Sequence, residues 1–142
     1  MDANKEAFSI SQFEVNLEGL QAKDFSTVGG LAMSTEALPV QEGAMYEKVT
    51  RKGRTRYRNI SLSRIFTGDK ELVKWFQRCA RSSLEKRSGS IILKDEDHKE
   101  VLRFNIRQAW PIHWEGPDFL AQHPGQLAYE TIVLDVEEIE VV

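Results

Sequence analysis

The chain has 142 residues, 41% of them hydrophobic, with 19 basic against 22 acidic side chains, which fits one compact domain over residues 1–142. The formal charge of −3 excludes a general pull toward nucleic acid or anionic membrane, and the single cysteine, Cys79, excludes an internal disulfide framework and a Cys-rich metal site. The opening MDANKEAFSI is no secretory signal, and no stretch approaches the roughly 20 apolar residues of a membrane helix, so cytoplasmic synthesis without membrane anchoring is expected.

Along the chain, the first alternating run is FEVNLEG, with Phe13, Val15 and Leu17 on one face and Glu14, Asn16 and Glu18 on the other. Gly29-Gly30 marks a loop. The stretch from Pro39 to Arg58 reads as the longest irregular segment, a mobile arm in a monomer that assembly would order. YRNISLSRI, Tyr57 to Ile65, reads as a strand. The run TGDKELVKWFQRCARSSLEK then changes period: Leu72, Trp75, Phe76, Cys79 and Ala80 fall at helical spacing. Asp69 is the expected N-cap, and Glu71 suits the positive end of the helix dipole. The spacing predicts a helix over about residues 69–83 that closes an open end or side of the sheets.

Ser90 to Leu93 is a further strand, and Asp95-Glu96-Asp97 is a hairpin tip. VLRFNIRQAW places Leu102, Phe104, Ile106 and Trp110 on a covered face, with Arg103, Asn105 and Arg107 opposite. Trp114 to Asp118 reads as a turn, and His123-Pro124-Gly125 precedes the last strand. In ETIVLDVEEIEVV, Ile132, Leu134 and Val136 share the covered face. The predicted fold is mainly β: an antiparallel β-barrel or sandwich with one packed α-helix.

Signals for chemistry are absent. The histidines His98, His113 and His123 are scattered and lack zinc-site spacing. There is no G-x-S-x-G elbow, no P-loop, no dinucleotide fingerprint and no EF-hand order in the acidic tip. The chain reads as no enzyme, with neither catalytic residues, cofactor nor metal.

The sharpest physical feature is the basic run Lys48, Arg51, Lys52, Arg54, Arg56 and Arg58, opposed locally by Glu47 alone. Three readings stand: phosphate contact with Tyr57 stacking a base, a solvated loop, or an arm that docks on a neighbouring subunit. The acidic tail offers the docking partner through Asp135, Glu137, Glu138 and Glu140. Complementary ends on one subunit suit head-to-tail stacking, because a heterologous contact that does not close builds a filament.

Four segments, in order, resemble the phage T4-like tail tube proteins. FEVNLEGLQAKDFSTVGGL carries Phe13, Val15, Phe25, Ser26, Val28, Gly30 and Leu31 of the opening pattern. RNISLSRIFTGDKELVKWF carries Asn59, Ile60, Leu62 and Trp75 of the strand leading to the helix. RFNIRQAWPIHWEGPDF carries Phe104 and the Ala109-Trp110-Pro111 turn, and YETIVLDVEEIEV carries Glu130, Leu134 and Glu137. The chain departs where lysine- or arginine-glycine often follows the leucine strand: here Arg64-Ile65-Phe66 stands, with glycine postponed to Gly68. The resemblance implies a structural subunit of hexameric rings, whose sheets join around a channel and stack into a tube inside a contractile sheath. Its implied partners are copies of itself, sheath and baseplate proteins, and cargo or DNA in the channel. The implied place is a phage tail or an extracellular contractile particle. On that reading Arg103, Asn105 and Arg107 line a hydrated channel. A tube-initiator or adaptor ring at the baseplate is the alternative within this class; a nucleic-acid-binding β-barrel and a small hydrolase are rivals outside it.

Overall fold

The structure, a computed structural model, describes residues 7, 9, 10, 12–40, 49–118, 122 and 125–142. Nine strands and one helix occur among them: β1 (Gln12–Leu17), β2 (Phe25–Gly29), β3 (Met33–Val40), β4 (Val49–Tyr57), β5 (Ile60–Ile65), α1 (Glu71–Arg81), β6 (Arg87–Lys94), β7 (Glu100–Glu115), β8 (Tyr129–Asp135) and β9 (Glu138–Val141). Seven strands form one antiparallel sheet in the order β1-β6-β7-β8-β5-β2, with β9 added to β7; β3 and β4 make a separate two-stranded sheet.

Alternation decides which faces are buried. In β1 the inward Val15 and Leu17 alternate with exposed Glu14 and Asn16. In β5 Ile60 and Leu62, and in β8 Ile132 and Leu134, are buried and alternate with half-buried residues. All of these join Ile91, Phe104, Ile106 and Ile139 in one core, so the sheet curls around it and its end strands β1 and β2 approach one another. No backbone ladder links β1 to β2. Fully burying aliphatic side chains of this size stabilises by about 1.5–3 kcal/mol each. The expected mainly β, antiparallel fold with one packed helix is what forms.

β7 is the long strand that serves both halves of the sheet. Its first part pairs with β6 and β9, and its last part with β8. Between them Gln108 takes a left-handed φ of 54°, with its N–H donating to Ser88 Oγ at 3.0 Å. The extra residue there reverses the alternation, so Ala109 and Pro111 take inward positions after Leu102, Phe104 and Ile106. Trp110, expected on the covered face, therefore turns outward beside Asp135. Pro111 is tolerated because it sits next to a register shift. Trp114 and Glu115, expected in a turn, extend the strand.

The closing run, expected as a single strand, breaks at Val136-Glu137. Its partner bends at the same level: Asp135 faces Trp110 and Glu138 faces Arg107 across the gap. Glu137 N–H bridges the break by donating to Arg107 O at 2.9 Å.

Helix α1 is shorter at both ends than residues 69–83. Asp69 Oδ1 accepts from Glu71 N at 3.1 Å, so Asp69 caps the first turn from outside it. Ser82 closes the other end, its N–H donating to Arg78 O at 3.0 Å. Leu72, Trp75 and Cys79 enter the core, whereas Phe76 is half-buried and Ala80 is exposed. Trp75 is fully buried, and its Nε1 donates to Glu85 O at 2.8 Å.

The largest departure from expectation lies between Pro39 and Arg58. The described part of that segment is the end of β3, all of β4 and Arg58, and the two strands pair from Met33↔Tyr57 to Val40↔Val49 with one register shift at Thr35–Ala37. The reading of Tyr57 to Ile65 as one strand also fails: β4 ends at Tyr57 and β5 starts at Ile60. Nearly every residue of β3 and β4 is exposed on both faces. Period-two burial, the signal that revealed the other strands, is therefore absent here.

Candidate assembly surfaces

The β3–β4 sheet is an arm that continues two strands of the main sheet. β2 pairs with β5 up to Gly29↔Ser61, and β3 pairs with β4 from Met33↔Tyr57 outward. Arg58 N–H donates to Ala32 O at 3.0 Å in the neck between them. Gly30, at φ 85°, permits this neck: a Cβ there would stand 2.0 Å from Asn59 O.

The basic run is carried on the arm. Arg51, Lys52, Arg54, Arg56 and Arg58 are all exposed; Lys48 lies outside the described residues. A register shift at Thr35–Ala37 places an extra β4 residue at Gly53–Arg54. Arg56 and Arg51 consequently share a face with Ser34 and Leu38, and Lys52 falls on the other face beside Ala37. Glu36 reaches Arg56 at 3.8 Å, with both side chains about half exposed or more, so the pair contributes little to stability. Glu36 is the counter-charge that sequence reading missed, because only the hairpin brings it alongside.

The second surface is the outer face of β1, β6, β7 and β9. Arg103, Asn105 and Arg107 stand there in alternation with inward Phe104 and Ile106. They are tied within the chain: Arg103 to Glu100 at 2.8 Å, and Arg107 to Glu138 at 3.1 Å. Asn105 faces Glu140 across the β7–β9 pair, and Lys94 bridges to Glu14 one strand further on. The Lys94 ammonium, hydrogen-bonded to Glu14, holds that carboxyl below its ordinary value; Arg103 does the same for Glu100 and is itself raised. This face is ionic and locally neutralised.

The acidic tail is divided by the break at Val136-Glu137. Glu138 and Glu140 flank inward Ile139 on β9, Asp135 ends β8, and Glu137 lies exposed in the bend. One of the four, Glu138, already has an internal partner in Arg107.

The third surface is formed by the edges of β1 and β2, the end strands of the main sheet. β1 and β2 border a recess of about 310 Å³ lined by Phe13, Glu14, Asn16, Lys23, Asp24 and Phe25. Unpaired edge groups are a template for another strand.

Beneath these surfaces lies a buried ion pair. Arg64 and Glu130 are register partners on β5 and β8, pointing inward; Arg64 Nε donates to Glu130 Oε1 at 2.9 Å. Both side chains are almost fully buried, and Arg64 Nη2 also meets Asp69 at 3.4 Å. Arg64 further lies over the Phe25 ring, 5.8 Å from its centroid. Asp69 leads into α1, while Glu71 accepts from the backbone of Gln21 and Ala22. The network thus ties β5, β8, the helix start and the β1–β2 loop. Among the described residues no group of three or more His, Cys, Asp or Glu side chains is placed to hold a metal ion.

The family model described as T4-like virus tail tube protein gp19 matches residues 10–140. Among solved structures, the chain is similar to one from the extended sheath–tube complex of an extracellular contractile injection system, PVC. That match has a TM-score of 0.83 at 22% identity, covering 97% of this chain and 93% of the other. A second similar structure is described as the sheath/tube terminator of the PVC particle in its extended state, with a TM-score of 0.85 at 22% identity and 99% of each chain covered. Hcp1 from Flavobacterium johnsoniae is more distant, with a TM-score of 0.59 at 18% identity over 91% of this chain and 93% of that one. No curated protein sequence matches the chain.

Proposed function

The chain belongs to the T4-like virus tail tube protein family and is a structural inner-tube subunit, and from that premise we propose that it closes into hexameric rings stacked around a channel. The observation that carries the stacking is the β3–β4 arm: a two-stranded extension of the main sheet, exposed on both faces and rich in cations. Isolated two-stranded hairpins are marginal in water, so such an arm gains its stability by lying on a partner.

In this reading Arg51, Lys52, Arg54, Arg56 and Arg58, with Lys48, dock on the adjacent ring. Glu137, Glu140 and Asp135 offer opposite charge there, while Glu138 remains with Arg107. The open edges of β1 and β2 meet neighbouring subunits within a ring. Arg103, Asn105 and Arg107 face the channel, where a locally neutralised wall would let cargo or DNA pass without trapping either sign of charge. Sheath and baseplate proteins complete the particle, a phage tail or an extracellular contractile apparatus. No step requires covalent chemistry, and the work is mechanical.

Electron microscopy of the Arg54→Glu/Arg56→Glu double variant tests the docking. Separate rings where the parent protein forms stacks are expected; undiminished stacking would remove the arm from the ring-to-ring contact. A second reading, a single terminating or adaptor ring, is supported by the likeness to a tube terminator at TM-score 0.85 beside 0.83 for the tube. It predicts rings that never lengthen.

A further inference from the structure

Helix α1 carries a charged stripe unrelated to the arm. Lys70, at its N-cap, and Lys74, Arg78 and Arg81 within it are all exposed. At about 100° per residue, these four cations fall within an arc of about 80°, opposite buried Leu72 and Cys79 and flanked by buried Trp75. With a rise of about 1.5 Å per residue, the stripe is about 16 Å long. A shallow depression of about 310 Å³ runs along it, lined by Lys74, Gln77, Arg78, Arg81 and Ser82.

The stripe is not neutralised as the outer sheet face is. Arg78 meets Glu85 at 2.9 Å, but among the described residues no carboxylate lies within ion-pair distance of Lys70, Lys74 or Arg81. The two acidic groups at the helix start are engaged elsewhere: Asp69 with Arg64, and Glu71 with the backbone of Gln21 and Ala22. The stripe is thus a local concentration of positive charge on a chain of net charge −3.

We propose that this face of α1 docks a short acidic segment of a second protein, its carboxylates spaced by helical turns to meet Lys70, Lys74, Arg78 and Arg81. Nucleic acid fits less well. Asp69 and Glu85 lie beside the stripe, so a continuous phosphate backbone, charged at every unit, would meet like charge that a segment with spaced carboxylates can avoid. The exposed face also carries no aromatic side chain on which a base could stack. A short acidic segment meets Lys70, Lys74 and Arg81, which have no ion-pair partner among the described residues, and reaches Arg78 beside Glu85, while Gln77 and Ser82 add neutral hydrogen-bonding groups. The contact is independent of ring stacking, because it uses a different element from the arm.

Fluorescence anisotropy on the full chain tests this with a labelled alanine-rich helical peptide bearing glutamates at i, i+4, i+8 and i+11. The expected result is binding that weakens steeply with salt, at least about tenfold weaker for the glutamine version of the peptide and for the Lys74→Glu/Arg81→Glu variant. Both side chains are exposed, and Lys74→Gln/Arg81→Gln is the milder control should the reversal disturb folding. The Arg54→Glu/Arg56→Glu arm variant should bind the peptide like the parent, which separates this site from stacking. Absence of peptide binding, equal binding by the Lys74 and Arg81 variants, or tighter binding of a single-stranded oligonucleotide of equal length would each overturn the proposal.

Discussion

Arg64 and Glu130 show how much two residues can hold. Each sits inward on its strand; Glu130 would be an uncompensated buried charge without Arg64, whereas Arg64 would keep only its 3.4 Å contact with the half-exposed Asp69. Removing one partner of such a pair costs about 3–5 kcal/mol, whereas replacing both by apolar groups of similar volume is often neutral. Arg64→Ala should therefore lower unfolding stability in urea by about that amount, and Arg64→Met/Glu130→Leu should recover most of it. An Arg64→Ala protein as stable as the parent would show that the pair is not what ties β5 to β8. Glu14 offers a second test at this scale. Lys94 holds its folded carboxyl below the ordinary glutamate value, so the contribution of this contact is present above the unfolded value and fades as pH falls through the folded one. The Glu14 carboxyl resonance should titrate below the ordinary glutamate value, and Lys94→Met should move its midpoint upward.

Among the elements, the neck of the arm depends on Gly30. A Cβ there would collide with Asn59 O on a backbone already in the left-handed region. Gly30→Ala should cost about 2 kcal/mol or more in denaturant unfolding, whereas the same change at Gly68, with open space around its Cβ position, should cost only the smaller conformational penalty. The elements differ in how plainly the sequence announces them. β1, β5 and β8 are legible because one face of each is buried, and burial writes an alternation of apolar and polar residues. Helix α1 is legible from its change of period. β3 and β4 are not, because neither face is buried within the chain and no apolar rhythm is imposed. Gln108 and Val136-Glu137 escape for another reason: a bulge or break is a local backbone event, visible only once the partner strand is known. Arg64 and Glu130 were within reach, since they share parity with Ile60 and Leu62 and with Ile132 and Leu134. Charges at inward positions of two strands are the signal of a buried pair.

Taken whole, the molecule divides its surface by chemistry. One sheet face is ionic and internally paired, one arm is basic and without a core beneath it, and two edges stand open beside a recess. A subunit made to be surrounded by copies of itself has reason for each, and the family to which the chain belongs supplies the assembly. The direct test is negative-stain electron microscopy of the purified protein at several concentrations. Six-fold rings that stack into tubes with rising concentration are the predicted result. Strictly monomeric particles at the highest concentration would contradict the assembly reading.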